Sequence, residues 1–428
     1  MARNALVAQS GGPSPVINAS LYGVIEACRA YPDQIGHLYA AWHGIEGVLT
    51  EELFDLFSQD PQELARLPYT PCSGSIGTCR YKLKSDAQAD FTRIVEVLRA
   101  HDIGYFFYIG GNDSMDTADK VSKLAKQMGY ALTVAGVPKT IDNDLGDEGF
   151  TLIDHTPGYG SCARFWAYLM QNAEEENRAI SRSECVSVYQ VMGREAGFIT
   201  AAARLGDPER RAPIRMFFAE TGETLESVAE KINAQLRRTG RCIAVVNEGL
   251  NVGEIGAKHD LFGHIEYGAS TVSAAQALVN YLNAHHLPAR GQATGQIPGT
   301  IQRGVSMLAS TVDIKEARIL GRKAVEIAMT EGTGYMSTIL RAPGTEYRPY
   351  YDKVELGRIA NSERGLPKQW IIDDGTDVSD AFVQYARPLI GEQDPPIPRE
   401  NGLQRFARLT PVFIEKKCSE YVPYALSR

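Results

Sequence analysis

Residues 136–149, "GVPKTIDNDLGDEG", place Lys139, Thr140, Asp142, Asn143 and Asp144 within six positions behind an apolar run. Asp and Asn in a turn can serve only to cap backbone groups. That reading leaves a lysine beside two carboxylates at a strand end unexplained. Phosphoryl transfer needs a base near the attacking hydroxyl, a cation near the leaving group, and usually Mg²⁺. This stretch offers the first two.

A second stretch, "YIGGNDSMDTA" (108–118), raises the opposite question. Paired glycines after a strand let backbone N–H groups approach an anion, and the helix that follows adds its positive end. Yet Asp113 sets a negative charge where a phosphate is expected. "SGGPSPVINA" (10–19) carries another glycine pair, with Gly12 at its turn, and "CSGSIGTCR" (72–80) adds Gly74, Gly77 and Arg80. Any one of these is accounted for by a tight turn. Three in one chain, one of them beside an arginine, point to a shared anion site. Neither GxGxxG nor GxxxxGK[ST] occurs, which argues against a standard dinucleotide fold or P-loop.

"VMGREAG" (191–197) and "GTIQRG" (299–304) place Arg194 and Arg303 in similar breaks. Arginine forks match phosphate oxygens bidentately. "VVNEG" (245–249) sets Glu248 at another strand end, suited to accept hydrogen bonds from sugar hydroxyls. Each signal is weak alone, because Arg and Glu are common on solvated surfaces. Together they line one candidate crevice for a sugar phosphate.

The elements that must position these residues alternate. "NALVAQ" (4–9), "GHLYAAWHG" (36–44), "YFFYIGG" (105–111) and "LTVAGVPK" (132–139) read as buried strands. Helical patterns lie between them, at 86–100 and from Asp116 to Gly129 among others. Such alternation predicts a parallel sheet with helices on both faces. The pattern restarts after about 150, with a helix near 157–176, then strands "CVSVYQVMG", "IRMFFAE" and "CIAVVNEG" and helices at 195–206 and 224–240. Residues 268–286 and 313–331 also read as helical. The expected division is one α/β domain from 1–150 plus about 265–330, a second from 151–264, and irregular additions over 331–428.

Composition limits the classes. The 428 residues are 44% hydrophobic and 22% charged, a globular profile with room for a large core. A net charge of −8, without basic runs, argues against nonspecific nucleic-acid binding. No signal peptide and no 18-residue apolar run is visible, so no membrane contact is expected. Seven scattered cysteines without a CxxC pair fit a reduced cytoplasm and give no zinc site.

The segments "SGGPSPVINA", "GGNDS", "PKTIDND", "MGR", "NEG" and "IQRG" occur in the order found in the phosphofructokinases. As a set, over about residues 4–330, the chain resembles that family, and within it the pyrophosphate-dependent branch. Two residues carry the branch: ATP-using members typically have Gly at the positions of Asp113 and Lys139. The resemblance implies two Rossmann-like three-layer α/β/α domains with the active site in the cleft between them. It also implies reversible transfer from pyrophosphate to fructose 6-phosphate, in glycolysis or gluconeogenesis, with Mg²⁺, by a homodimer or homotetramer.

Carried over position by position, Asp142 is the base for the 1-hydroxyl, and Thr140 and Asp144 hold the substrate and the base. Lys139 steadies the departing phosphate. Asp113 fills the room of an α-phosphate and repels one. Gly12, Arg80, Gly111 and Ser114 cradle the donor. Met192, Gly193, Arg194 and Glu248 bind the sugar, and Arg303 the 6-phosphate. Four positions depart from the family. Asn112 stands where an aspartate usually binds Mg²⁺, so the amide oxygen is the remaining ligand atom there. Two arginines of the sugar-phosphate site fall on Cys185 and Thr294, with Arg182 and Arg290 as candidate substitutes. Thr300 replaces the usual His or Tyr before Arg303. An ATP-dependent enzyme, or a noncatalytic sugar-phosphate-binding regulatory subunit favoured only by Asn112, are the competing readings.

Overall fold

In a computed structural model, which describes residues 2–81, 83, 88–251, 272–360 and 362–424, the chain forms two main sheets. The first takes β1 (Arg3–Gln9), β2 (Ile35–Ala41), β3 (Leu53–Asp55), β4 (Ile103–Gly110) and β5 (Thr133–Pro138). The second takes β6 (Glu184–Val191), β7 (Ile214–Phe217), β8 (Cys242–Asn247) and β9 (Gln292–Gln296). The chain then returns to the first sheet with β10 (Tyr335–Arg341) and β11 (Pro349–Glu355). Strand order is β11-β10-β5-β4-β1-β2-β3 in the first sheet and β7-β8-β6-β9 in the second. The second sheet is parallel throughout. In the first, β3 and β11 run antiparallel to their neighbours. Strands β1, β4, β5, β6 and β8 are buried along nearly their whole length. That is why they read as apolar runs rather than as alternation.

The long helices are α1 (Ile17–Arg29), α2 (Gln88–Ala100), α3 (Asn112–Gln127), α4 (Tyr159–Ile180), α5 (Leu225–Thr239), α6 (Ala274–Ala284) and α7 (Thr311–Thr330). On one face of the second sheet, Val186, Val188 and Val246 pack with Val228, Ile232 and Leu236 of α5 and Leu278 and Leu282 of α6. On the other, Val191, Ile243 and Val245 share a cluster with Trp166 and Met170 of α4 and with Phe382 and Tyr385. Parallel strands need crossovers, and helices on both faces supply them.

Three expectations change. Segment 274–296 belongs with the second sheet, not the first, because β9 pairs in parallel with β6. From the described part of the stretch assigned to the first domain, α7 packs there, against α1, β5 and β10. The boundary expected near 265 lies outside the described residues. The tail is not an irregular addition at its start: β10 pairs with β5 and β11 with β10, which completes the first sheet. Within 195–206 the expected single helix is one turn, Phe198–Ala202, followed by a 3₁₀ turn, Ala203–Gly206.

Candidate active site

A single cleft is lined by Gly12, Arg80, Gly111, Asn112, Asp113, Ser114, Lys139, Thr140, Asp142, Asp144, Met192, Arg194, Glu248 and Arg303. Every expected site residue is therefore in one place except Gly193, which acts through its backbone. Apart from Arg80, on the 72–80 loop, and Arg303, on a 3₁₀ turn after β9, these residues come from the carboxyl ends of β1, β4, β5, β6 and β8, where ligands collect in open α/β folds.

The glycine-turn end is built from three loops. Gly11 N–H donates to Cys79 O (2.9 Å), and Thr78 Oγ1 donates to Gly11 O (2.9 Å). These bonds bring the turn before Arg80 against the turn after β1. At Gly12 an added Cβ would lie 2.5 Å from Arg303 Nη1 and 3.5 Å from Arg80 Nη2. The absence of a Cβ lets the end of the Arg303 side chain lie against the backbone there, with Arg80 in ordinary contact. Lys139 Nζ reaches back to donate to Gly12 O (2.7 Å) and is buried. Burial, with Arg303 beside it, pulls the Lys139 ammonium down to about 7. Arg80 and Arg194 push the same way, and Asp142 only partly opposes them. Arg303, expected at the 6-phosphate of the sugar, has its guanidinium beside the Gly12 turn.

Helix α3 begins at Asn112, four residues earlier than the pattern starting at Asp116 indicated. Asn112, Asp113 and Ser114 thus form its first turn, with Gly111 as the capping residue. Asp113 occupies the positive end of the helix, the place where a phosphate would otherwise bind. Asn112 Oδ1 is buried in this turn without a hydrogen-bond partner. An orphaned amide oxygen facing an anion site suits a hard cation, which prefers oxygen ligands. No group of three His, Cys, Asp or Glu side chains among the described residues forms a ready-made metal cage.

The other end of the cleft is acidic. Asp142 N–H donates to Thr140 Oγ1 (3.1 Å), which fixes the start of the loop. Asp144 is half-buried, and desolvation with Asp142 beside it raises its carboxyl well above the usual range. Glu248 Oε1 accepts from Gly193 N–H (3.1 Å) and Arg194 N–H (3.0 Å). One oxygen of the expected sugar ligand is therefore committed to holding the "MGR" turn. Burial pushes Glu248 up to about 7, and Asp142 adds to the rise.

Sequence reasoning missed Glu363, which lines the cleft near Asp144, and Arg364 behind it. Both come from the tail. Thr300, noted as a departure, also lines the cleft, whereas the proposed substitutes Arg182 and Arg290 do not. Thr294 Oγ1 donates to Glu184 (2.9 Å) and Cys185 is buried in the second sheet, so neither position offers a phosphate ligand.

Two α/β units with a cation-lined glycine end and a carboxylate end in one cleft define a phosphoryl-transfer protein of the sugar kinase kind. The profile described as Phosphofructokinase matches residues 4–328, and the chain belongs to the phosphofructokinase family, in its pyrophosphate-dependent branch. It is 38% identical over 426 residues to a pyrophosphate–fructose 6-phosphate 1-phosphotransferase of Methylococcus capsulatus, covering 97% of this chain and 98% of the relative. A protein of the same name from Halomonas elongata is 38% identical, covering 98% and 99%. The solved pyrophosphate-dependent phosphofructokinase of Nitrosospira multiformis superposes with a TM-score of 0.86 at 36% identity, covering 99% of this chain and all of that one.

Proposed function

We propose that this chain transfers the terminal phosphoryl group of pyrophosphate to the 1-hydroxyl of fructose 6-phosphate, reversibly, giving fructose 1,6-bisphosphate and phosphate. The observation that carries the reading is the joint placement of Asp113 and Lys139 at the glycine end of the cleft. A carboxylate at the helix start repels an α-phosphate and fills its room, while a buried amine and two arginines receive a small, highly charged donor.

Asp142 takes the hydroxyl proton as the oxygen attacks phosphorus in line. Thr140 and Asp144 hold Asp142 and the acceptor. Gly12, Arg80, Gly111 and Ser114 cradle the donor, and Lys139, charged once the donor is bound, stabilises the negative charge that builds on the leaving phosphate. Met192, Arg194 and Glu248, with the Gly193 turn, orient the sugar. Arg303 spans both ends and contacts whichever phosphate faces it. Asn112 Oδ1 would supply a ligand oxygen to Mg²⁺, which would act as a Lewis acid on the donor. The family resemblance also supports a cytoplasmic homodimer or homotetramer; no described helix is long and apolar enough to cross a membrane.

The deciding experiment compares pyrophosphate and ATP as donors to fructose 6-phosphate, with and without Mg²⁺, using the purified chain alone. Strong preference for pyrophosphate, abolished by chelation, is expected. Preference for ATP defeats the reading of Asp113 and Lys139. No turnover with either donor favours the noncatalytic alternative.

A further inference from the structure

Asn143, between the two cleft carboxylates, has φ +59°. Asparagine tolerates that left-handed region better than other residues with a Cβ, because its amide can hydrogen-bond nearby groups, and here those bonds fix it there. Nearby, Thr156 N–H donates to Asn143 Oδ1 (3.0 Å), and the rest of the hold comes from more than 200 residues along the chain. Arg364 Nε donates to Asn143 O (2.9 Å) and Nη2 donates to Asn143 Oδ1 (3.1 Å). The same guanidinium donates from Nη1 to Ile153 O (2.7 Å) and from Nη2 to Asp154 O (3.0 Å). Its own backbone N–H donates to Asp144 O (2.8 Å). One side chain and its amide thus grip both strands of the 142–154 loop.

Arg364 is 2% exposed and lies 4.3 Å from the Phe150 ring centroid. The planar fork is satisfied by carbonyl and amide oxygens, which lysine cannot reproduce in number or direction. Two residues on, Leu366 N–H donates to Glu220 Oε1 (2.8 Å), which also accepts from Gly197 N–H (2.7 Å) beside the Arg194 turn. Residues 364–366 therefore tie the base loop of one sheet to the arginine loop of the other.

We propose that Arg364 is a positioning residue for the reaction: it locks Asn143 in the left-handed conformation that aims Asp142 and Asp144 into the cleft, without itself touching substrate. The inference rests on the reading of Asp142 as the base. Nothing about Arg364 follows from pocket chemistry alone, because it sits behind the loop and not on the cleft wall.

The test uses the full-length chain. Arg364→Gln is expected to lower kcat about 10²-fold, the cost of misplacing a reacting group by about 1 Å. The KM for pyrophosphate should stay within about threefold, since the groups that bind the donor lie outside the 142–154 loop. Arg364→Lys, which keeps the charge and loses the fork, should lower kcat about tenfold. Phe150→Leu is the control: it loosens the packing on the guanidinium and lowers the melting temperature, but leaves the hydrogen bonds and kcat near wild type. A folded Arg364→Gln with kcat within threefold of wild type overturns the proposal. So does a Phe150→Leu whose kcat falls as far as that of an Arg364 variant of equal melting temperature. Should Arg364→Gln not fold, Arg364→Lys carries the same two outcomes. Wild-type turnover and its collapse in Asp142→Ser test the base assignment separately, so a fully active Arg364 variant would overturn only the clamp.

Discussion

The donor end of the cleft and its acceptor end are opposite in charge and differ in how they are supported. Arg80, Lys139 and Arg303 crowd the first, around the Gly12 turn. Asp142, Asp144, Glu248 and Glu363 crowd the second. Burial drives both toward neutrality in the free protein: Lys139 falls to about 7 and Glu248 rises to about 7. Desolvation penalises whichever form is charged, and like-charged neighbours add to it. The difference lies in what ends that frustration. A multiply charged anionic donor restores charge to Lys139, whereas the carboxylates need only a hydroxyl and one proton to accept.

The largest effect expected from breaking this contrast is at the acceptor end. Asp142→Ser should lower turnover by about 10²–10⁴-fold, the usual worth of general-base catalysis. Fructose 6-phosphate binding, measured by calorimetry, should change only a few-fold. If turnover survives, the base is elsewhere and Asp142 is part of the acidic background.

Next comes the donor pair. Asp113→Gly with Lys139→Gly should lower kcat/KM for pyrophosphate by tens- to hundreds-fold and raise the relative use of ATP. Two like charges about 4 Å apart repel by about 1 kcal/mol in water, and by more where solvent is excluded. Unchanged donor kinetics would show that the two residues do not discriminate donors.

Gly12→Ala is smaller and sharper. Its Cβ would displace the flexible end of Arg303, 2.5 Å away, without moving backbone. Losing one charge-assisted hydrogen bond of about 1.5 kcal/mol raises a KM about tenfold. If Arg303 serves the donor end, as its contact with Gly12 indicates, the KM for pyrophosphate rises. If it serves the 6-phosphate, the KM for fructose 6-phosphate rises instead. Steady-state kinetics with each substrate varied in turn decides between them.

The two ends were not equally legible in the sequence. The donor end is made of short motifs, each at the end of its own strand, so "SGGPSP", "IGGNDS" and "PKTIDND" announced it. The acceptor carboxylates were legible too, but not their support. Arg364 meets Asn143 across 221 residues, and Tyr385 meets it across 242. No local pattern encodes a contact of that range. Strand β9, "QATGQ", was missed because it has one β-branched residue and one buried position. Strands β10 and β11 were hidden by the glycines and prolines around them, which punctuate a turn as readily as a tail. The start of α3 was placed late because Asp116 and Thr117 resemble a cap, while Gly111 performs that role without a side chain.

The smallest effect is a proton. Lys139 is held near 7 by burial and by three arginines, so at pH 8 in the free protein it is mostly neutral. Pyrophosphate binding places negative charge beside it, favours the ammonium, and raises its pKa. Binding at pH 8 should therefore take up close to one proton at this site. At pH 6, where the amine is already charged, it should take up almost none. Titration calorimetry in buffers of different ionisation enthalpy reads this uptake directly. Pyrophosphate and the carboxylates Asp144 and Glu248 also exchange protons, so the informative quantity is the difference from Lys139→Met. A difference that grows with pH through about 7 identifies the buried amine as the group that changes charge. Equal uptake in the two proteins would mean that Lys139 is already charged before the donor arrives, and that the crowding of cations around Gly12 does not hold it neutral.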